Sequence, residues 1–160
     1  MKYFVSALLS FAISVSAFAQ NSPGADYFSL GETKLAKEYF TKNISQNPEE
    51  SHFYLGEIAY KEGNLTEAKA QYQQSAAVNP ELLGLGAVGL AKLELKSNPK
   101  AAEDQLKDVQ KKNKKDVNVL LAIAKAYFDN GLKEKALNVI VEAKKADKKN
   151  PYIYIFEGDM

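Results

Sequence analysis

The residue types that carry most enzyme chemistry are scarce in this sequence. His52 is the only histidine and the chain has no cysteine, so a zinc site or a Ser-His-Asp arrangement would have to be built around one imidazole. No candidate ligand is placed beside His52 by helical spacing, which favours a packed or capping histidine. The stretch GLGAVG at 84–89 lies in an apolar helical segment without a preceding strand, so it does not indicate a dinucleotide site. We therefore predict no enzyme activity, no metal and no cofactor.

The charged residues indicate a balanced surface. The chain has 21 basic and 20 acidic residues, and every basic residue is lysine. Without arginine, the bidentate grip that proteins use on phosphate is missing, so we predict no nucleic-acid partner. Glu57 and Lys61 stand four residues apart, which predicts an ion pair on a solvated helix face.

Lysines recur at a constant spacing near the ends of two predicted helices. Lys111 and Lys115 are followed 34 residues later by Lys145 and Lys149. Positive charge at a helix C-terminus complements the helix dipole, which is one explanation. The other is a basic edge that contacts an acidic protein or an anionic envelope polymer. The residues alone leave both interpretations open.

The N-terminus has the three parts of a secretory signal peptide. Lys2 precedes an apolar run from Phe4 to Phe18, and Ala17-Phe18-Ala19 fits a small-x-small cleavage site. We predict a signal peptide at 1–19, and an uncleaved anchor is the competing interpretation. The prediction places the protein in the periplasm or outside the cell, in a Gram-negative bacterium. No later stretch has the ~20 apolar residues of a spanning helix, so no stable membrane insertion is expected after cleavage.

The rest of the sequence predicts helices joined by short turns. Each of the five prolines follows a serine or asparagine that can cap a helix, and proline is well tolerated at the first helical position. Glycine marks the turns at Gly31, Gly63 and Gly131. We predict helices near 23–29, 33–46, 49–62, 65–78, 81–96, 99–112, 117–130, 132–147 and 151–160. No segment has the alternation of a strand, so the fold class is all-α.

A repeat of 34 residues connects these helices. It relates Ala68 to Ala102 and Ala136, and it relates Tyr72 to Leu106 and Ile140. These two series lie four positions apart, on one face of the second helix of each unit. In the first helices, Leu90 stands where the series otherwise has a small residue, and Gly86 and Gly89 on the same helix face are expected to make room for it.

This pattern resembles the tetratricopeptide repeat family, whose unit is a helix-turn-helix of about 34 residues. The match is carried by YLGEIAYKEGNLTEAKAQYQQSAAVNP (54–80) and AIAKAYFDNGLKEKALNVIVEAKKADKKNP (122–151). The resemblance implies a right-handed α-solenoid over residues 20–160. Its units are predicted at about 20–47, 48–82, 83–116 and 117–150, with an incomplete unit at 151–160.

The resemblance also implies a function. In this family the first helices line a concave groove that binds peptide segments or helices of partner proteins. Aromatic anchors beside charged groups suit such a groove, although the same aromatics could simply pack between neighbouring helices. The positions that would face the groove are Phe53, Tyr54, Glu57, Tyr60, Lys61, Lys125, Phe128 and Asp129, with Tyr152 and Phe156 beyond them.

The last segment, NPYIYIFEGDM, matches the first helix of a further unit. A repeat buries its apolar face only against its neighbours, so we expect the chain to be the N-terminal part of a longer protein or to associate with a second copy there. The leading hypothesis is a non-enzymatic scaffold of the cell envelope that binds a protein or peptide in its groove. The alternative is a docking arm of a longer envelope protein whose further part binds peptidoglycan or is catalytic.

Overall fold

A computed structural model describes residues 22–160, and the predicted signal peptide at 1–19 lies outside them. The described residues form nine α-helices and no strand. The helices are α1 (Pro23–Ser29), α2 (Thr33–Asn43), α3 (Pro48–Lys61), α4 (Leu65–Val78), α5 (Leu85–Glu94), α6 (Pro99–Lys112), α7 (Val117–Asp129), α8 (Lys133–Ala146) and α9 (Pro151–Asp159). Consecutive helices pair as hairpins, and the first helices of successive pairs pack side by side. The predicted all-α solenoid of helix-turn-helix units is confirmed.

Proline marks four of the five predicted helix starts correctly. Helices α1, α3, α6 and α9 each begin at a proline, where the missing N–H would have had no partner in the helix. The start predicted at Pro80 is wrong, because α5 begins at Leu85. Leu83 has a φ of 49°, which a right-handed helix cannot include. At the observed start of α5, the backbone N–H of Leu85 donates to Glu49 Oε1 at 3.0 Å.

The glycines predicted in turns adopt a backbone conformation that other residues rarely take. Gly31, Gly63 and Gly131 have φ values of 78°, 79° and 77°, and each follows the first helix of a hairpin. A Cβ atom would be strained there, which explains the residue type. The turn between α5 and α6 has Ser97 at the equivalent position, and its N–H donates to the carbonyl three residues before it, as the N–H groups of the three glycines also do.

The 34-residue periodicity corresponds to the interior of the solenoid. Ala68, Ala102 and Ala136 are completely buried, and so are the large residues that follow each of them by one turn. Burial of a large apolar side chain contributes about 1.5–3 kcal/mol. The repeated series is therefore the core of each helix pair.

Two glycines enclose the ring of Tyr72. A Cβ atom on Gly56 would lie 2.5 Å from Tyr72 Cε1, and one on Gly89 would lie 2.2 Å from Tyr72 Cδ1. Gly86 approaches α4 even more closely, since its Cβ would lie 2.1 Å from the backbone nitrogen of Ala76. Gly86 and Gly89 let α5 pack onto α4 where Leu90 departs from the repeat, as the sequence predicts.

The last helix packs through one side only. Ile153 is fully buried, whereas Tyr154 and Ile155 are about half exposed. Self-association through this surface stays a prediction. Among the described helices, none combines the length and apolar character needed to cross a membrane.

Candidate functional site

The first helices of the hairpins enclose one concave groove with a volume of about 880 Å³. Side chains from α1, α3, α5, α7 and α9 line it. Tyr152 and Phe156 line the groove. So do all eight residues that the resemblance placed there, which are Phe53, Tyr54, Glu57, Tyr60, Lys61, Lys125, Phe128 and Asp129. Binding by these residues stays a prediction, but their common location is established.

The lining residues differ in how much of each side chain a ligand could reach. Phe53 and Glu57 are only 4% and 3% exposed, so they form the floor. Phe53 packs against the rings of Tyr54 and Tyr72, with centroids 5.3 and 6.0 Å away. For Phe53, the interpretation as a residue packed between helices therefore applies. Tyr60, Lys125, Phe128 and Asp129 are half-buried, and Lys61 is exposed.

A buried ion pair lies in the floor of the groove. Lys92 Nζ lies 2.8 Å from Glu57 Oε1 and 2.9 Å from Oε2, and Tyr72 Oη donates to the same carboxylate at 2.6 Å. The predicted solvated pair of Glu57 with Lys61 is therefore wrong. The ionic partner of Glu57 is determined by the neighbouring helix α5, which places the ammonium group of Lys92 beside the buried carboxylate. The spacing of residues along α3 does not determine it.

The network continues from Lys92 to the next hairpin. Asp129 Oδ2 lies 2.7 Å from Lys92 Nζ, and Lys125 Nζ donates to both oxygens of Asp129 at 3.0 Å. Burial alone would raise the pKa of Asp129, but the two ammonium groups outweigh it and hold the pKa below its usual value. Burial would likewise lower the pKa of Lys92, and the carboxylates of Glu57 and Asp129 raise it. Two cations and two anions thus form a neutral cluster.

Sequence reasoning did not include Lys92 among the groove residues. Its side chain is 2% exposed, and its Nζ lies 4.0 Å from the centroid of the Tyr60 ring. The available signal was a lysine inside the apolar stretch AVGLAKLEL, where a lysine must find a buried partner.

Aromatic side chains form the two ends of the groove. At one end the ring of Phe28 packs on Tyr54 with centroids 5.5 Å apart, and at the other Phe128 packs on Phe156 at 6.0 Å. Tyr152 Oη donates to Asp26 Oδ1 at 2.6 Å. This bond joins α9 to α1, so the first and last described helices meet across the groove.

His52 lies away from these groups. Its ring is half-buried, and its Nδ1 atom lies 2.7 Å from Gln71 Oε1. This contact links α3 to α4. Within residues 22–160, no three His, Asp or Glu side chains come together in a way that could hold a metal ion.

The recurring lysines are all exposed. Lys111 lies 3.1 Å from Asp108, and Lys145 lies 2.7 Å from Glu142. Carboxylates on the same helices thus offset part of this basic edge, and binding by the edge stays a prediction.

One of the helix pairs matches a known family. Residues 49–82, which include most of α3 and all of α4, match the model of the tetratricopeptide repeat. Residues 49–82 are therefore a tetratricopeptide repeat, and the other helix hairpins of the chain share its helix-turn-helix architecture. Repeats of this family generally mediate protein–protein interaction and are generally non-catalytic. No curated protein matches the chain.

Proposed function

We propose that this protein is a non-enzymatic scaffold of the cell envelope whose groove binds a peptide segment or helix of a partner protein. The observation that carries the proposal is the set of half-buried aromatic side chains beside charged groups in one concave groove. A pocket of this kind offers apolar area for affinity and charges for orientation.

The floor of the groove supports the proposal because it is held by short ionic contacts. Lys92 connects α3 to α7 through Glu57 and Asp129. A groove whose walls are fixed before binding loses less conformational entropy when a ligand enters. The same contacts make Glu57 a structural residue of the groove, because a partner cannot reach it.

The test is a selection of peptides on the immobilised full chain, followed by binding measurements with variants. A random dodecapeptide library displayed on phage supplies the probes, and each enriched peptide is measured by fluorescence anisotropy. Phe128→Ala with Phe156→Ala removes one aromatic end of the groove and should weaken binding about tenfold or more.

The matched control is Leu137→Ala with Val141→Ala. These side chains are 37% and 50% exposed on α8, outside the groove. Peptides that bind the control and the unchanged chain equally, and bind the groove variant weakly, support the proposal. If no peptide is enriched, or if both variants bind alike, the groove is not the binding site.

The location in the envelope rests on residues 1–19 alone. When the full chain is expressed in a Gram-negative host, we expect the mature protein in the periplasmic fraction, with Gln20 as its first residue. N-terminal sequencing measures this directly. A protein that keeps Met1 and stays in the cytoplasmic fraction would refute export.

A further inference from the structure

The groove carries more negative than positive charge. Its charged lining residues are six carboxylates and three ammonium groups: Glu49, Glu50, Glu57, Asp116, Asp129, Asp159, Lys61, Lys92 and Lys125. The whole chain, in contrast, has a formal net charge of +1. Negative charge is therefore concentrated in the groove, and the excess of lysine lies on the rest of the chain.

The buried cluster does not account for this excess. Lys92 and Lys125 offset Glu57 and Asp129, so this part of the floor is neutral. Outside this cluster, four carboxylates and one lysine, Lys61, line the groove.

Three of the remaining carboxylates accept hydrogen bonds from neutral groups. Glu50 accepts from Ser22 Oγ at 2.7 Å and from Asn47 Nδ2 at 2.6 Å. Glu49 accepts from the N–H of Leu85, and Asp116 accepts from the N–H groups that follow it in α7. These contacts orient the carboxylates without cancelling a full charge. A helix N-terminus offers only about half an elementary charge.

The electrostatic surroundings of Tyr54 are consistent with a negative groove. Burial raises the pKa of its hydroxyl, and the carboxylates of Glu50, Glu57 and Asp26 raise it further. Two carboxylates outside the neutral cluster, those of Glu50 and Asp26, thus act on one tyrosine of the groove wall.

The aromatic side chains of the groove already lie near ammonium groups. Lys92 Nζ lies over the ring of Tyr60, and Lys61 Nζ lies 5.9 Å from the centroid of Phe28. A ring face attracts a cation through its quadrupole. The stem of a lysine or arginine side chain can likewise pack on an aromatic ring while its charged end reaches a carboxylate.

From these observations we infer that the segment bound in the groove is basic, with lysine or arginine side chains that contact Glu49, Glu50 and Asp116 and apolar side chains that contact the aromatic ends. The inference rests on the proposed function and specifies the chemistry of the partner. An acidic segment would face uncompensated carboxylates at the N-terminal ends of α3 and α7.

The experiment uses the dodecapeptides enriched on the full chain. We expect them to carry net positive charge and to bind more weakly as ionic strength rises. A version of each peptide with glutamine in place of lysine and arginine should bind about tenfold more weakly. The probes are the labelled peptides themselves.

The variant of the protein is Glu49→Gln, Glu50→Gln and Asp116→Asn, which keeps a hydrogen-bond acceptor at each position. It should bind the basic peptides about tenfold more weakly. The matched control is Asp104→Asn, Asp108→Asn and Glu142→Gln on α6 and α8, which lie outside the groove, and its affinity should be unchanged. Lys61→Glu adds negative charge at an exposed position and should strengthen binding, an effect that misfolding cannot imitate.

The outcomes separate the two proposals. Enrichment of neutral or acidic peptides that depend on Phe128 and Phe156 would overturn the basic partner and leave groove binding in place. Equal affinity of the carboxylate variant and its control would do the same. If no peptide is enriched at all, both proposals fail.

Discussion

Lys92 Nζ lies 2.8 Å from Glu57 and 2.7 Å from Asp129, so one buried ammonium group connects the first helices of three successive hairpins. In a solenoid each repeat normally contacts only its neighbours. The side chain of Lys92 on α5 contacts carboxylates of both neighbours, α3 and α7, at once. Its removal should therefore affect more than one interface.

We expect Lys92→Met to lower the free energy of unfolding by about 3–5 kcal/mol, because it leaves Glu57 buried without a counter-ion. Urea denaturation followed by circular dichroism measures the change. Glu57→Gln added to Lys92→Met should recover part of the loss, since the amide carries no charge. A double variant less stable than Lys92→Met would contradict the assigned ion pair.

Acid should weaken the cluster through Asp129. Its pKa in the folded protein is held below the ordinary value of 3.8. The stabilisation is therefore fully present above the pKa of the unfolded chain, and it is lost as the pH falls through the lower folded pKa. We expect Asp129→Asn to be less stable at neutral pH and to lose less stability on acidification. Denaturation at several pH values from neutral to acid provides the test, and parallel pH profiles of the two proteins would refute it.

Gly86 and Gly158 form a matched pair for alanine substitution. A Cβ atom on Gly86 would collide with the backbone of Ala76, whereas one on Gly158 meets nothing within 4 Å. Gly86→Ala should cost at least about 1–3 kcal/mol through overpacking. Gly158→Ala should be neutral or stabilise the protein by up to about 1 kcal/mol. Thermal denaturation compares them, and equal effects would mean that α5 and α4 are farther apart.

The turn glycine Gly131 should tolerate asparagine better than alanine. Its φ of 77° lies in the left-handed region, which costs an ordinary residue roughly 1 kcal/mol and costs asparagine less. We expect Gly131→Ala to lower the unfolding free energy by about 1 kcal/mol, and Gly131→Asn by less. The reverse order in chemical denaturation would show that the backbone conformation does not determine this position.

Tyr152→Phe should loosen the contact between α9 and α1. The variant loses the hydrogen bond to Asp26 and keeps the ring, at a cost of about 0.5–1.5 kcal/mol. Because the chain has no cysteine, spin labels can be attached only at two introduced cysteines, Ser29→Cys and Asp159→Cys. We expect a broader distance distribution between the labels in the variant. An unchanged distribution would mean that other contacts hold the two helices.

Local rules were sufficient for most of the architecture. The proline starts, the three turn glycines and the buried alanine series depend on backbone geometry within one helical turn. The family match at 49–82 agrees with the periodicity. All eight predicted groove residues also line one surface, because the first helix of each unit presents the same face.

The sequence by itself thus determined most of the helices and turns, and the resemblance to the repeat family added the eight predicted groove residues. Tertiary structure decided the late start of α5, the burial of Glu57 beside Lys92 and the contact of Tyr152 with Asp26. These features depend on how closely helices from different repeats approach each other. That distance is set by the packing of many side chains at once, so the spacing of residues along one helix does not reveal it.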